Sequence, residues 1–192
     1  PFTPLQTPPA TDAFTHEDAD SGIDGYVLTE QLKKGIDFGP EADRLTLIRR
    51  ATFDLTGLLP TPEACNAFLA DRSPDAYERL VDRLLNSPEF GERWAQHWLD
   101  VVRYAETDGF KLDKTRRDAY RYRDYVIRSF NSDLPYDEFL RQQLAGDELA
   151  PNNPDAQIAT GFLRLAPEEM NGSDYRQIRQ ELLDDITDVV GQ

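Results

Sequence analysis

Apolar residues in this chain recur with the three-to-four-residue period of amphipathic helices, and the helical runs begin with a repeated signal. Thr61-Pro62-Glu63, Ser73-Pro74-Asp75, Ser87-Pro88-Glu89 and Asn153-Pro154-Asp155 each set a side-chain acceptor, a proline and an acid in succession. The acceptor suits the N-cap, proline suits the first helical position, and the acid complements the positive end of the helix dipole. Helices are therefore expected near 62–71, 74–86, 90–106 and 154–165. Others fit near 23–34, ending at Gly35, and near 43–56, ending at Gly57, with 119–131, 136–145 and 173–190 completing the set. No run alternates apolar and polar residues as a half-buried strand would. The expectation is an all-α fold, an irregular bundle of about eight or nine helices behind an extended N-terminal tail. The tail is expected over 1–22 and the helical domain over 23–192. Residues 107–118 read as the one long internal loop, and the short spacers Leu58–Thr61 and Arg72–Ser73 imply closely packed antiparallel helix pairs.

Composition narrows the function classes. The 192 residues carry a formal charge of −15, which excludes a general nucleic-acid binder and adhesion to an anionic membrane surface. No apolar run approaches the roughly 20 residues that span a bilayer. The single cysteine, Cys65, forms no internal disulfide and supplies neither a zinc site nor the Cys-x-x-Cys-His of a covalent c-type haem. Neither a metal site nor a cofactor is expected within these residues. GxSxG, phosphate-loop and HExxH patterns are missing, and Glu106, Asp108, Asp113 and Asp147 form no specific acid–base pair among 36 acids.

Charge is uneven. Residues 1–24 hold Asp12, Glu17, Asp18, Asp20 and Asp24 with no Lys or Arg. Residues 111–128 hold seven of the 21 basic residues against three acids, a local excess of +4 that an anionic ligand can use. The competing reading is pairing along one helix, with Asp118, Arg121 and Asp124 at i,i+3 spacing.

Aromatic and charged residues are densest over 90–149. Trp94, Trp98, Val101 and Ala105 form one apolar stripe in which both tryptophans are expected to be mostly buried. His97, Asp100 and Tyr104 form a neighbouring polar face that starts at Arg93. A carboxylate that orients an imidazole serves proton transfer or ligation, and the alternative is a histidine that only supports packing. With Arg121 and Arg123 on the helix after the loop, an antiparallel packing would set guanidiniums beside the His97 face. The candidate ligand-binding residues are Arg93, His97, Asp100, Tyr104, Arg116, Arg117, Arg121 and Arg123; no catalytic residue is assigned. The alternative for this set is a structural network in which Asp100 and Asp124 neutralise the arginines.

The runs ADRLTLIRRATFDLTGLLPTPE (42–63), YERLVDRLLNSPEFGERWAQHWLDVVRYAETDGF (77–110), YRDYVIRSFNSDLPYDEFLRQQLAGDEL (122–149) and ATGFLRL (159–165) resemble the planctomycete cytochrome-c-associated domain of unknown function. That domain follows a cytochrome-c-like module in large secreted bacterial proteins. The resemblance implies a periplasmic or secreted location and a partner in the remainder of the parent chain or its cytochrome-c-like domain. Family sequences continue past the equivalent of Asp184–Gln192 into a Cys-x-x-Cys-His element, so covalent haem c is implied in a flanking segment. Leu182, Leu183, Ile186, Val189 and Val190 form an apolar stripe at the end of the sequence, which agrees with a truncated domain. Two functions follow as expectations. One is a helical module accessory to haem-dependent electron transfer; the other is an extracellular domain that binds or processes a carbohydrate or another anionic ligand through aromatic faces and arginine forks.

Overall fold

Helix caps set most of the architecture seen in the computed structural model, which describes residues 22–36, 39–109, 113–165 and 174–191. The chain divides into two compact units, Pro1–Ala42 and Asp43–Gln192. In the first, α1 spans Gly22–Lys33. It is closed by Gly35, whose φ of 69° lies in the left-handed region where glycine has no Cβ penalty. Apart from Gly22, the tail expected over 1–22 lies outside the described residues.

The second unit contains α2 (Arg44–Thr56), α3 (Pro62–Ala70), α4 (Ala76–Leu85), α5 (Pro88–Val101) and α6 (Ala119–Asn131). It continues with α7 (Tyr136–Leu149), α8 (Pro154–Ala159), a 3-10 turn (Thr160–Arg164) and α9 (Tyr175–Val190). The fold is all-α: among the described residues the only β pairing is an isolated antiparallel bridge between Thr107 and Thr115. Several caps behave as their sequence signals predict. Thr61 accepts from the Ala64 N–H at 3.2 Å and Asn153 from the Asp155 N–H at 3.0 Å. Gly57, at φ 72°, ends α2 by donating to Phe53.

Four boundaries differ from expectation. Helix α8, expected over 154–165, ends at Ala159, where the chain tightens into the 3-10 turn. Helix α4 starts at Ala76 rather than Pro74, because Ser73 turns its hydroxyl to Asp71 and Asp75 takes the cap position instead. Helix α5 stops at Val101 rather than 106, where Arg103 adopts φ 55° and the chain leaves the helix. Helix α7 runs past the expected end at 145 to Leu149, but Ala145 is non-helical (φ −151°, ψ 29°) and breaks it there. The break sits beside Gly146, whose backbone meets Ala156 of α8 so closely that an added Cβ would collide with the Ala156 carbonyl.

Two apolar clusters fill the second unit. Ile48, Ala51, Phe68, Ala76, Leu80 and Leu84 bring α2, α3 and α4 together. Arg44 closes this layer by donating to the Phe68 and Asp71 carbonyls at 2.6 and 2.8 Å, its guanidinium 4.1 Å from the Phe68 ring centroid. The second cluster, with Ala95, Tyr122, Tyr125, Val126, Phe139 and Phe162 among its members, joins α5 through the 3-10 turn. Helix α9 buries no residue fully. Its contacts with the rest of the unit include Val189 against the second cluster and an Arg103–Asp185 ion pair at 2.6 Å.

Candidate functional site

Helices α5 and α6 pack antiparallel. The start of α5 meets the end of α6, where Asn131 accepts from the Gly91 N–H at 2.8 Å and donates to the Pro88 carbonyl. At the other end Tyr104 stacks on Tyr122 with ring centroids 6.3 Å apart. Between them, Trp98 reaches across and donates its indole N–H to the Tyr122 hydroxyl (3.0 Å) and to Gln143 Oε1 (3.2 Å) of α7. Gln143 is 1% exposed, accepts also from the Tyr122 hydroxyl at 2.5 Å, and donates to the Phe139 carbonyl. Three helices thus share one polar knot, in which both polar atoms of the buried Gln143 amide are hydrogen-bonded.

Beside this knot an open groove of about 520 Å³ separates α5 from the α6–α7 turn. Its walls are chiefly aromatic: Phe90, Trp94, Trp98, Phe130, Tyr136 and Phe139. Trp98 meets Phe139 edge-on at 4.9 Å, which fixes the floor. At the rim Trp94 keeps 39% and Tyr136 keeps 66% of its surface exposed. Trp94 is therefore not the buried core residue expected from the stripe. The buried positions of α5 are Gly91 and Ala95, one turn apart, and the tryptophans flank that line.

The candidate residues divide among separate places. His97 lines the groove, exposed, its ring edge-on to Trp94 at 5.6 Å and 70°. No His97–Asp100 hydrogen bond forms among the described residues; both side chains are exposed, and the imidazole packs on indole instead. Arg93 turns away from the groove and lays its stem against Gly57 of α2, with Nε buried and unpartnered. Tyr104 lies beyond the helix end. It donates to Glu106 at 3.0 Å, and Arg123 bonds the same Glu106 oxygen at 2.8 Å while pairing with Asp124. Burial first, then the Glu106 contact, pushes the Tyr104 hydroxyl up to about 12. Arg123 thus belongs to a carboxylate-neutralised network, as the structural alternative expects for Asp124, whereas Asp100 is outside it.

A second cleft, also of about 520 Å³, lies at the start of α6. Arg116, Arg117 and Arg121 line one wall, and the α8–3-10 segment supplies the other with Arg164. Arg116 is the most enclosed, held by Asp108 at 2.7 Å and by a bond to the Arg164 carbonyl at 2.8 Å. Arg121 pairs with Asp118 at 3.0 Å in full view of solvent. The loop that delivers these residues is less open than its composition suggests. The Asp108 and Arg116 backbone N–H groups donate to the Lys114 and Glu106 carbonyls at 2.8 Å each, which ties residues 106–109 to residues 113–116. Among the described residues no three His, Cys, Asp or Glu side chains converge as a metal site would need. No described helix is long and apolar enough to cross a membrane.

The model of the PSCyt2 family, described as a protein of unknown function (DUF1549), matches residues 22–192. The chain belongs to the PSCyt2 family. No curated protein and no solved structure matches it. In this PSCyt2 chain the single polar cleft expected from Arg93 to Arg123 is resolved into an aromatic groove, a tyrosine–carboxylate network and a basic cleft. Sequence reading missed Arg164 and Gln143. Arg164 lies 43 positions beyond Arg121, so no local spacing joins the two. Gln143 stands among the polar residues Arg141 and Gln142, and its burial follows only from the docking of α7 on α5 and α6.

Proposed function

We propose that this PSCyt2 chain is a helical module of a larger secreted protein linked to c-type cytochrome, accessory to haem-dependent electron transfer. The aromatic groove between α5 and the α6–α7 turn carries the reading. Exposing Trp94 and Tyr136 around a concave apolar floor is unfavourable in water and favourable only against a partner surface. The groove is lined by rings and by few polar groups, His97 and Asp133 among them, which suits an apolar edge better than a polyol. The resemblance of runs 42–63, 77–110, 122–149 and 159–165 to the planctomycete cytochrome-c-associated domain supports a cytochrome-c-like domain of the same parent protein as the partner. No catalytic residue is assigned. The module's role in this reading is to seat the haem domain, with the groove as the contact.

The test uses the longer natural protein. Its visible spectrum shows a covalent haem Soret band, and Trp94→Ala with Tyr136→Ala shifts the haem potential or slows reduction while the melting temperature of this module changes little. A longer protein without a Soret band overturns the reading. So does a variant pair that leaves the haem's redox behaviour untouched.

A further inference from the structure

Six aromatic side chains wall the groove beside α5, and among the described residues its one carboxylate is Asp133. No Lys or Arg joins that lining, and His97 is its only basic group. Asp133 stands on the α6–α7 turn at φ 49°, a left-handed conformation that aspartate tolerates. The turn is tied by the Asp133 N–H to the Phe130 carbonyl at 3.2 Å and by the Leu134 N–H to the Ser129 carbonyl at 3.0 Å. The Asp133 carboxylate is exposed and has neither an ion pair nor a hydrogen bond with a described residue. The acids that follow it are taken, since Asp137 and Glu138 both pair with Arg141. An unmatched carboxylate in an aromatic groove, with no Lys or Arg beside it, calls for a cation from outside.

The walls select the kind of cation. An aromatic ring presents a negative face, and a cation within about 6 Å of its centroid is attracted. An ammonium is compact and strongly hydrated, so seating it on a ring costs more desolvation. A guanidinium is planar and weakly hydrated. It stacks on a ring face, meets a carboxylate through two parallel N–H bonds, and trails an apolar stem. The groove provides for each part. Trp94 and Tyr136 are 39% and 66% exposed at the rim, Asp133 supplies the acceptor, and Trp98 edge-on to Phe139 gives an apolar floor. With 36 acids against 21 basic residues, the field of the chain favours the approach of a cation.

We infer that the groove receives an arginine side chain of the docked partner, its guanidinium against the rim rings of Trp94 and Tyr136 and forked to the Asp133 carboxylate. The identity of the partner rests on the docking proposed above; the arginine site is a property of this chain alone.

Two-dimensional NMR of the full 192-residue chain tests this, because both tryptophans of the protein line the groove and each gives one indole N–H signal. The probes are Nα-acetyl-arginine amide, Nα-acetyl-lysine amide, Nα-acetyl-citrulline amide and cellobiose, at matched ionic strength. The arginine probe shifts the Trp94 signal saturably, the lysine probe binds about threefold more weakly, and the uncharged citrulline probe and cellobiose leave the signal in place. Asp133→Asn keeps the side-chain size and suits φ 49°, and it weakens arginine binding about tenfold. Trp94→Ala, read at the Trp98 signal, weakens it about threefold. Asp82→Asn, which removes an exposed carboxylate of α4, leaves it unchanged. An arginine shift no larger than that of citrulline, a lysine probe equal to arginine, or cellobiose bound more tightly than arginine overturns the inference. Undiminished binding by Asp133→Asn overturns it too. The two proposals fail separately. A longer protein without a Soret band overturns the haem reading while the titration still decides the arginine site, and a titration without binding overturns the arginine site while the Soret band stands.

Discussion

Replacing Gln143 by leucine separates a buried hydrogen-bond knot from its packing. The two side chains are close in volume, so little cavity forms, but Leu offers no acceptor. In the native protein Gln143 Oε1 accepts from the Tyr122 hydroxyl at 2.5 Å and from the Trp98 indole at 3.2 Å. After the change Trp98 still has the Tyr122 oxygen at 3.0 Å. The Tyr122 hydroxyl hydrogen, on a residue 3% exposed, loses the acceptor it has here. Leaving one buried donor unsatisfied costs about 1–3 kcal/mol, and we expect about 2 kcal/mol for Gln143→Leu. Tyr122→Phe removes that hydroxyl instead and orphans nothing, since Gln143 keeps Trp98 as a donor. It is expected to cost about 1 kcal/mol, the net worth of an ordinary hydrogen bond. In the double variant the Trp98 indole N–H loses both of its acceptors, so the loss is expected to be no smaller than the sum of the singles, about 3 kcal/mol. Urea unfolding followed by far-UV circular dichroism, with unchanged m-values, measures all three. A Gln143→Leu loss no larger than that of Tyr122→Phe would refute the reasoning and mean that water replaces the glutamine.

Trp94→Ala, at a rim position 39% exposed, should destabilise clearly less than Trp98→Ala, for which about 3–5 kcal/mol is expected; denaturant melts of both rank them. Gly146→Ala should destabilise by about 3 kcal/mol, since its methyl would collide with the Ala156 carbonyl and α7 and α8 would have to part; thermal unfolding reads this directly. Stability should fall in alkali. Burial is the first cause that raises Tyr125 from 10.0 to about 12, and it raises Tyr122 further still. The unfolded chain releases these protons from pH 10 upward while the folded chain retains them. Their contribution is therefore intact below pH 10 and is lost as pH rises towards 12. Melts at increasing pH show this decline, and it is shallower in Tyr125→Phe.

Elements were legible where a local rule governs. Thr61, Asn153, Gly35 and Gly57 act through neighbours within four residues, so their positions announce helix ends before any fold is known. The errors come from competition between local partners. Ser73 donates its hydroxyl to the Asp71 carboxylate and accepts from Arg79 rather than from a helix N–H, and α4 starts after Asp75. Face assignments were less legible. A 100° stripe places Trp94 and Trp98 together, but which stripe meets α6 depends on Gly91 and Ala95, the small residues that let the helices approach. The arginines were recognised as a group from composition alone. That Arg123 is drawn off to Glu106 and that Arg164 joins the others across the cleft depend on long-range packing, for which a single sequence has no period to read.

The division of the larger unit's interior into two clusters decides what survives when part of it opens. The α2–α4 cluster holds one aromatic ring, Phe68, among six buried residues, whereas the cluster of α5 to the 3-10 turn is bound by stacked tyrosines and phenylalanines. Amide protons of α2–α4 should therefore exchange through a cheaper, sub-global opening, ahead of those in α5–α7. Both clefts are lined from Phe90 onward. A molecule caught in that opening, or nicked by a protease within α2–α4, would still keep the α5–α7 packing that walls its aromatic groove.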